Sequence, residues 1–189
     1  MDDDKLGKTE AHSIVVRSFE PSDKLEVQRI FYEGMMEMVS DTAFRGLRHH
    51  PESLLLYAAF TNSCLWVAVL EGKVVGLVAA VGHRTQTGTV ELQRMSVDQN
   101  CRRRGVGMVL GRKVLEYAVT GGYSTVVLGT TAYNSAAHRL YQSLGFSCVG
   151  VTNGYTAPGT RQSVLERVFY RVRHHHYSLD VQRTKLKIL

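Results

Sequence analysis

The sequence is poor in cysteine: three residues in 189, at positions 64, 101 and 148. They are odd in number, far apart, and include no C-x-x-C pair. This excludes a disulfide framework and offers no cysteine spacing for a metal, and it points to a reducing compartment. Long hydrophobic runs are also lacking. Among the longest, Cys64-Leu-Trp-Val-Ala-Val-Leu70 is far short of the ~20 apolar residues that span a bilayer. The start, Met1-Asp-Asp-Asp-Lys5, is acidic and polar rather than the basic-then-apolar pattern of a secretory leader. The chain as written is expected to be a cytoplasmic protein with no transmembrane segment. There is no internal repeat and no low-complexity block. Acidic residues are outnumbered, 17 Asp and Glu against 23 Lys and Arg, for a net charge of +6 and a pI near 9.3. That balance favours an anionic partner, and a small polyanion satisfies it as well as nucleic acid does.

With 44% hydrophobic residues, the length suits one domain with a full core. The most informative stretch runs from Val90 to Ala118. It begins with strand character at Val90, Leu92 and Val97 and turns through the basic loop Arg102-Arg-Arg-Gly-Val-Gly107. It continues with Val106, Val109, Leu110, Val114, Leu115 and Ala118 recurring at threes and fours, a helix period. A strand, a glycine loop and a helix start gather backbone N–H groups and a positive dipole end at one point, which is a phosphate-binding arrangement. Gly105 and Gly107 allow close backbone approach, and Arg102, Arg103 and Arg104 add charge.

Around this stretch, residues 1–12 read as a disordered N-terminus and Ile14–Phe19 as a first strand, followed by a helix opened by Pro21-Ser-Asp. A second helix falls between Thr42 and Tyr57. Residues 65–70 and 74–81 form a hairpin about Glu71-Gly-Lys73, and 125–130 is a buried strand. Asn134 to Gly145 is a short helix, and 146–151 with 164–170 make a last strand pair. The resulting division is one domain over 13–171 and a basic tail over 172–189 that includes the His174-His-His176 triplet. The triplet lacks a carboxylate or cysteine at ligand spacing, so no metal is expected. The fold class is α/β: a mixed, twisted sheet of about seven strands with helices on both faces.

Three features in fixed order resemble the GNAT superfamily of N-acetyltransferases. A strand ends Met95-Ser-Val97-Asp98; an R-x-x-G-x-G loop follows at Arg102, Gly105 and Gly107; and Asn134-x-x-Ala137-x-x-Leu140-Tyr141-x-x-x-Leu-Gly-Phe146 comes a helix and a strand later. The match covers residues 64–152. At finer grain, Gly34-Met-Met-Glu-Met38, Thr42-Ala-Phe-Arg45, Leu92-to-Asp98 and Leu140-to-Phe146 resemble the camello-like (family 8) N-acetyltransferases. Members of that family carry a long membrane-embedded segment ahead of the Trp66 strand, which implies endoplasmic-reticulum association. Here only Leu54–Phe60 stands in that place.

The resemblance implies an acetyl-CoA-dependent enzyme that transfers acetyl directly to a primary amine, a cysteine S-conjugate or a protein lysine, in a ternary complex. It implies acetyl-CoA bound along Met95, Ser96 and Val97, with its pyrophosphate at Arg102, Arg103, Arg104, Gly105, Val106, Gly107 and Met108, and with Asn134, Ala137 and Tyr141 completing the cofactor contacts. Tyr141 would serve as proton donor to the leaving thiolate. Glu91 would be the base, with His83 a second candidate. The residues themselves leave simpler readings open: Glu91 as a surface glutamate, Tyr141 as a packed helix tyrosine, Asn134 as a helix cap. A non-catalytic acyl-CoA-binding module is the alternative reading. A nucleic-acid binder is disfavoured because no aromatic-interleaved basic stripe is present. The oligomeric state is left open, a dimer being compatible.

Overall fold

The computed structural model describes residues 13–38, 63–83, 86–153 and 173–182. Among these residues seven strands form one sheet in the order β1-β2-β3-β4-β5-β7-β6. They are β1 (Val15–Ser18), β2 (Ser63–Leu70), β3 (Lys73–Gly82), β4 (Thr89–Val97), β5 (Thr125–Thr131), β6 (Ser147–Asn153) and β7 (Arg173–Asp180). Helix α1 (Lys24–Met38) covers one face; α2 (Val106–Thr120) and α3 (Ser135–Ser143) cover the other. The expected mixed sheet with helices on both faces is the observed architecture. The second helix placed between Thr42 and Tyr57, and the strand placed at 164–170, lie outside the described residues.

Burial on both faces explains why β2 and β3 are almost continuously apolar rather than alternating. Val67 and Leu77 pack with Val27 and Ile30 of α1, while Trp66, Ala68, Val78 and Ala80 pack with α2 on the opposite face. The β2–β3 hairpin closes on Glu71 and Gly72, with φ of 53° and 74°, the two positive angles that a type I′ turn requires. In α2, Val106, Leu110, Val114, Leu115 and Ala118 are buried, as the helix period anticipates.

The C-terminal reading is corrected. Residues 173–180 are not a tail but β7, inserted between β5 and β6 and antiparallel to both. Tyr177, Leu179 and Val181 are buried in the main core. The alternation Tyr177-x-Leu179-x-Val181 was present in the sequence, but three histidines and an arginine before it masked the apolar signal.

Candidate active site

The chemistry-bearing segment is shaped by a break in the sheet. β4 and β5 run parallel and pair only at Thr89↔Thr125, Val90↔Val126 and Glu91↔Val127. Beyond Glu91, β4 keeps its ladder with β3 and has no β5 partner among the described residues. A bulge accentuates the divergence. Between the pairs Leu77↔Ser96 and Ala79↔Gln93, two β4 residues, Arg94 and Met95, oppose one β3 residue, and Arg94 takes φ 56°. Bulges bend and twist a strand, so β4 turns away from β5 to leave a fork. One edge of the fork is polar backbone. Asp98 N–H donates to Val75 O at 2.9 Å. Successive N–H groups alternate sides, so the Val97 N–H faces the fork.

At the open end of the fork lies the glycine loop. Arg103 (φ 61°) and Gly105 (φ 84°) are both left-handed. A side chain at Gly105 would meet nothing within 4 Å, so its glycine answers to backbone conformation and leaves the approach open. The first helical acceptor of α2 is Gly105 O, taken by Val109 N–H at 3.1 Å. The N–H groups of Val106, Gly107 and Met108 therefore have no intrahelical partner. No side chain caps this end and no acidic residue lies in its first turn. Arg103 and Arg104 are exposed beside it, while Arg102 folds back so that Nε donates to Val97 O at 3.2 Å. The result is a donor-rich, positively polarised end suited to a phosphate group. Gly107 has a different reason from the one its spacing suggested. A Cβ there would come within 3.0 Å of Leu140 Cδ2, so its small size seats α3 on α2.

That seating places Tyr141. Its ring is buried, with centroids 6.0 Å from those of Phe146 and of Tyr177. Burial pushes its hydroxyl up to about 12. Asn134 caps α3, Oδ1 accepting from Ala137 N–H at 3.1 Å, so the simple reading of Asn134 as a cap is correct. Tyr177, across the ring contact, bonds His138 Nδ1 at 2.8 Å, while His138 Nε2 donates to Thr131 O at 3.0 Å. In the neutral ring Nδ1 then accepts, and the Tyr177 hydroxyl donates.

Glu91 and Tyr141 are not side by side. Val90 and Leu92 point into the core beneath α2, so by alternation Glu91 and Gln93 lie on the α1 face. Tyr141 belongs to the α2 and α3 face. The two side chains lie on opposite faces of the sheet. Glu91, the last paired residue, accepts from Gln93 Nε2 at 2.8 Å. His83 stands one strand over toward the closed end, its N–H donating to Thr89 O at 2.9 Å.

Two supports were not legible from spacing. Ser96 Oγ donates to Ile30 O at 3.0 Å, binding α1 to β4 beside the bulge. Buried Asp98 receives Arg29 Nη2 at 2.7 Å and Asn100 N–H at 2.9 Å, and the Arg29 hydrogen bond holds its carboxyl below the usual carboxylate range. Asp98 thereby fixes the turn that leads into the glycine loop. An Asp-x-Asn turn signal was visible, but its partner 69 residues upstream was not.

This geometry, a sheet fork closed by an uncapped helix start, accompanies a sequence match. A profile of the Acetyltransferase (GNAT) family matches residues 32–146. The chain belongs to the GNAT family. It is an N-acetyltransferase. The N-acetylaspartate synthetase of Homo sapiens is 38% identical over 231 residues, covering 93% of this chain and 76% of that protein. The Danio rerio protein of the same name is 39% identical, covering 90% and 79%. Human N-acetyltransferase 8, a camello-like relative, is 40% identical over 97 residues, covering 50% of this chain and 43% of its own. The synthetase alignment is 231 positions long against 93% of a 189-residue chain, so those relatives carry residues within it that this chain lacks.

Among solved structures, Salmonella typhimurium yncA, determined with its cofactor acetyl-CoA, matches this GNAT domain with a TM-score of 0.69 at 18% identity, covering 89% of this chain and 94% of that one. A GCN5-related N-acetyltransferase from Kribbella flavida matches at 0.68 and 22% identity, covering 88% and 97%. Among the described residues no helix is long and apolar enough to cross a membrane, and no group of three His, Cys, Asp or Glu side chains is placed to hold a metal.

Proposed function

We propose that this enzyme transfers the acetyl group of acetyl-CoA directly to the α-amine of aspartate. The observation that carries the acyl-donor half is the fork between β4 and β5, opening at Glu91 onto the uncapped start of α2. The acceptor is supported by the synthetase relatives, whose similarity runs over nine-tenths of the chain. A cysteine S-conjugate or a protein lysine is the second reading, favoured by a match to family 8 proteins over half of the chain.

The residues fit acetyl-CoA. The free N–H groups of Val106, Gly107 and Met108, with Arg103 and Arg104, suit its pyrophosphate; the β4 edge from Met95 to Val97 suits the amide-bearing arm; Ala137 and Asn134 flank it from α3. Acetyl-CoA supplies an activated acyl group. The Val97 N–H donates to the acyl oxygen, where negative charge grows during attack. Glu91 takes the proton that the ammonium loses before attack; the second, released from nitrogen as the C–N bond forms and the C–S bond breaks, ends on the departing CoA thiol. Neutralising an amine at pH 7 costs about 1.4 kcal/mol for a peptide α-amine of pKa ~8 and about 4.6 for a lysine side chain; the amine of free aspartate, beside its own carboxylates, lies between the two, so a base is needed.

Tyr141 donates a hydrogen bond to the departing sulfur. Full transfer of its proton to a thiolate of pKa ~8.5 would be uphill by roughly 5 kcal/mol, so the hydroxyl stabilises the sulfur's charge rather than surrendering the proton. Among the described residues of the fork none is an obvious covalent nucleophile, which supports direct attack in a ternary complex.

Thiol release from acetyl-CoA in the presence of aspartate, a cysteine S-conjugate and a lysine peptide tests the proposal. Aspartate is expected to give the highest kcat/KM. Release with the lysine peptide alone would overturn the acceptor assignment. Tight CoA binding with no release for any amine would overturn the reaction itself.

A further inference from the structure

The histidine triplet, once inside the sheet, gains a role. His174 and His176 sit two apart on β7, on the same face as Glu91 and Gln93. Beyond the fork, the row running from β5 through β7 to β6 consists of Gly129, His176 and Gly150. Two of the three have no side chain, so the exposed imidazole of His176 stands over a bare floor. Its Nε2 is held by Thr152 Oγ1 at 2.9 Å. Its Nδ1 lies 3.9 Å from where a Cβ on Gly129 would stand, on the side toward the fork, and has no partner among the described residues. His174 is already engaged in an interaction of its own. A carboxylate placed at Nδ1 selects the tautomer with the proton there, and Nε2 then accepts from the Thr152 hydroxyl.

We infer that His176 is an acceptor-binding residue whose Nδ1–H receives a carboxylate of the acceptor. This rests on the reading of the acceptor as a carboxylate-bearing amine. Two strand spacings of about 4.8 Å separate β4 from β7 before the fork widens. A glutamate reaching from one side and a histidine from the other leave room for a small amino acid between them. Its ammonium faces Glu91 and its carboxylate faces His176. The arrangement disfavours an acceptor with an uncharged group at that end, because the imidazole N–H would then lose its hydrogen bond.

The test compares His176→Gln with His176→Asn in steady-state acetylation of aspartate and of a simple alkylamine. Gln carries its amide one bond too far out to replace Nδ1, whereas the Asn amide nitrogen falls close to the Nδ1 position. His176→Gln is expected to raise the KM for aspartate about tenfold, the equivalent of one charge-assisted hydrogen bond. The KM for acetyl-CoA and the kcat should stay within about twofold, and His176→Asn should recover most of the loss. Alkylamine turnover should not change. An unchanged aspartate KM in His176→Gln overturns the assignment, and so does equal loss in both variants with reduced kcat and melting temperature. If the wild-type enzyme turns over the alkylamine but no carboxylate-bearing amine, the acceptor reading falls and this assignment falls with it; wild-type activity separates the two failures.

Discussion

Tyr141 shows how burial sets what a single hydroxyl can do. Desolvation raises its pKa to about 12, so it remains protonated across any working pH and supplies a donor without titrating. Tyr141→Phe keeps the ring packed against Phe146 and Tyr177 and removes only that donor. The expected outcome is a fall in kcat of about 10²-fold with the KM for acetyl-CoA and the melting temperature nearly unchanged, measured by thiol release and thermal unfolding. Because the group keeps its proton below pH 12, a loss of activity between pH 8 and 10 cannot come from it. Glu91→Gln should instead depress kcat/KM most at low pH, where the amine is most fully protonated, and progressively less as pH rises and the amine loses its proton to water. A pH-independent effect would mean that Glu91 does not act as the base.

At the scale of elements, the two glycines at the start of α2 answer to different forces and should fail differently. Gly105→Ala meets open space but carries φ 84°, for an expected cost of about 1–2 kcal/mol and a raised KM for acetyl-CoA. Gly107→Ala drives a methyl against Leu140 and should cost about 1–3 kcal/mol while lowering kcat through a displaced Tyr141. Urea unfolding beside kinetics separates the two. The Arg29–Asp98 link joins α1 to the turn after β4. The folded pKa values of Asp98 and of Asp23, which accepts from Arg17 Nη1 at 2.6 Å and Nη2 at 2.8 Å, lie below the unfolded value of ~3.9. Their stabilisation is therefore fully present above that value and is lost as pH falls through the folded ones. Melting temperature should drop steeply below about pH 4, and Asp98→Asn should flatten that drop while lowering stability at neutral pH.

The same elements show what a sequence reveals. The strand, loop and helix around Arg102–Gly107 were legible because they are contiguous and each obeys its own period. The cap at Asn134 was legible for the same reason. The bulge at Arg94 was not, since no proline, glycine or charge pattern marks it. Nor was β7, whose apolar alternation begins only after three histidines.

At the scale of the whole molecule, β7 turns an apparent appendage into an interior strand. Deleting residues 173–189 removes the partner of both β5 and β6 and three buried core side chains. No cooperative thermal transition is expected from such a truncation. A truncated protein with the wild-type melting temperature would contradict the topology. What stayed hidden in the sequence at this scale was long-range pairing, because the register of β5 with β7 joins residues about fifty positions apart.

The seam between β4 and β5 has a mechanical consequence. Among the described residues, three ladder pairs and the Ser124 and Thr125 N–H bonds to Gly88 O stitch the four-strand leaf β1–β4 to the three-strand leaf β5-β7-β6, with α2 packed across them. The molecule is thus built like a book with a short spine, and a ligand lying in the fork works as a clasp. Binding of CoA should slow amide exchange in both leaves together, including strands it never touches, and raise the melting temperature with the logarithm of CoA concentration, continuing beyond saturation of the site.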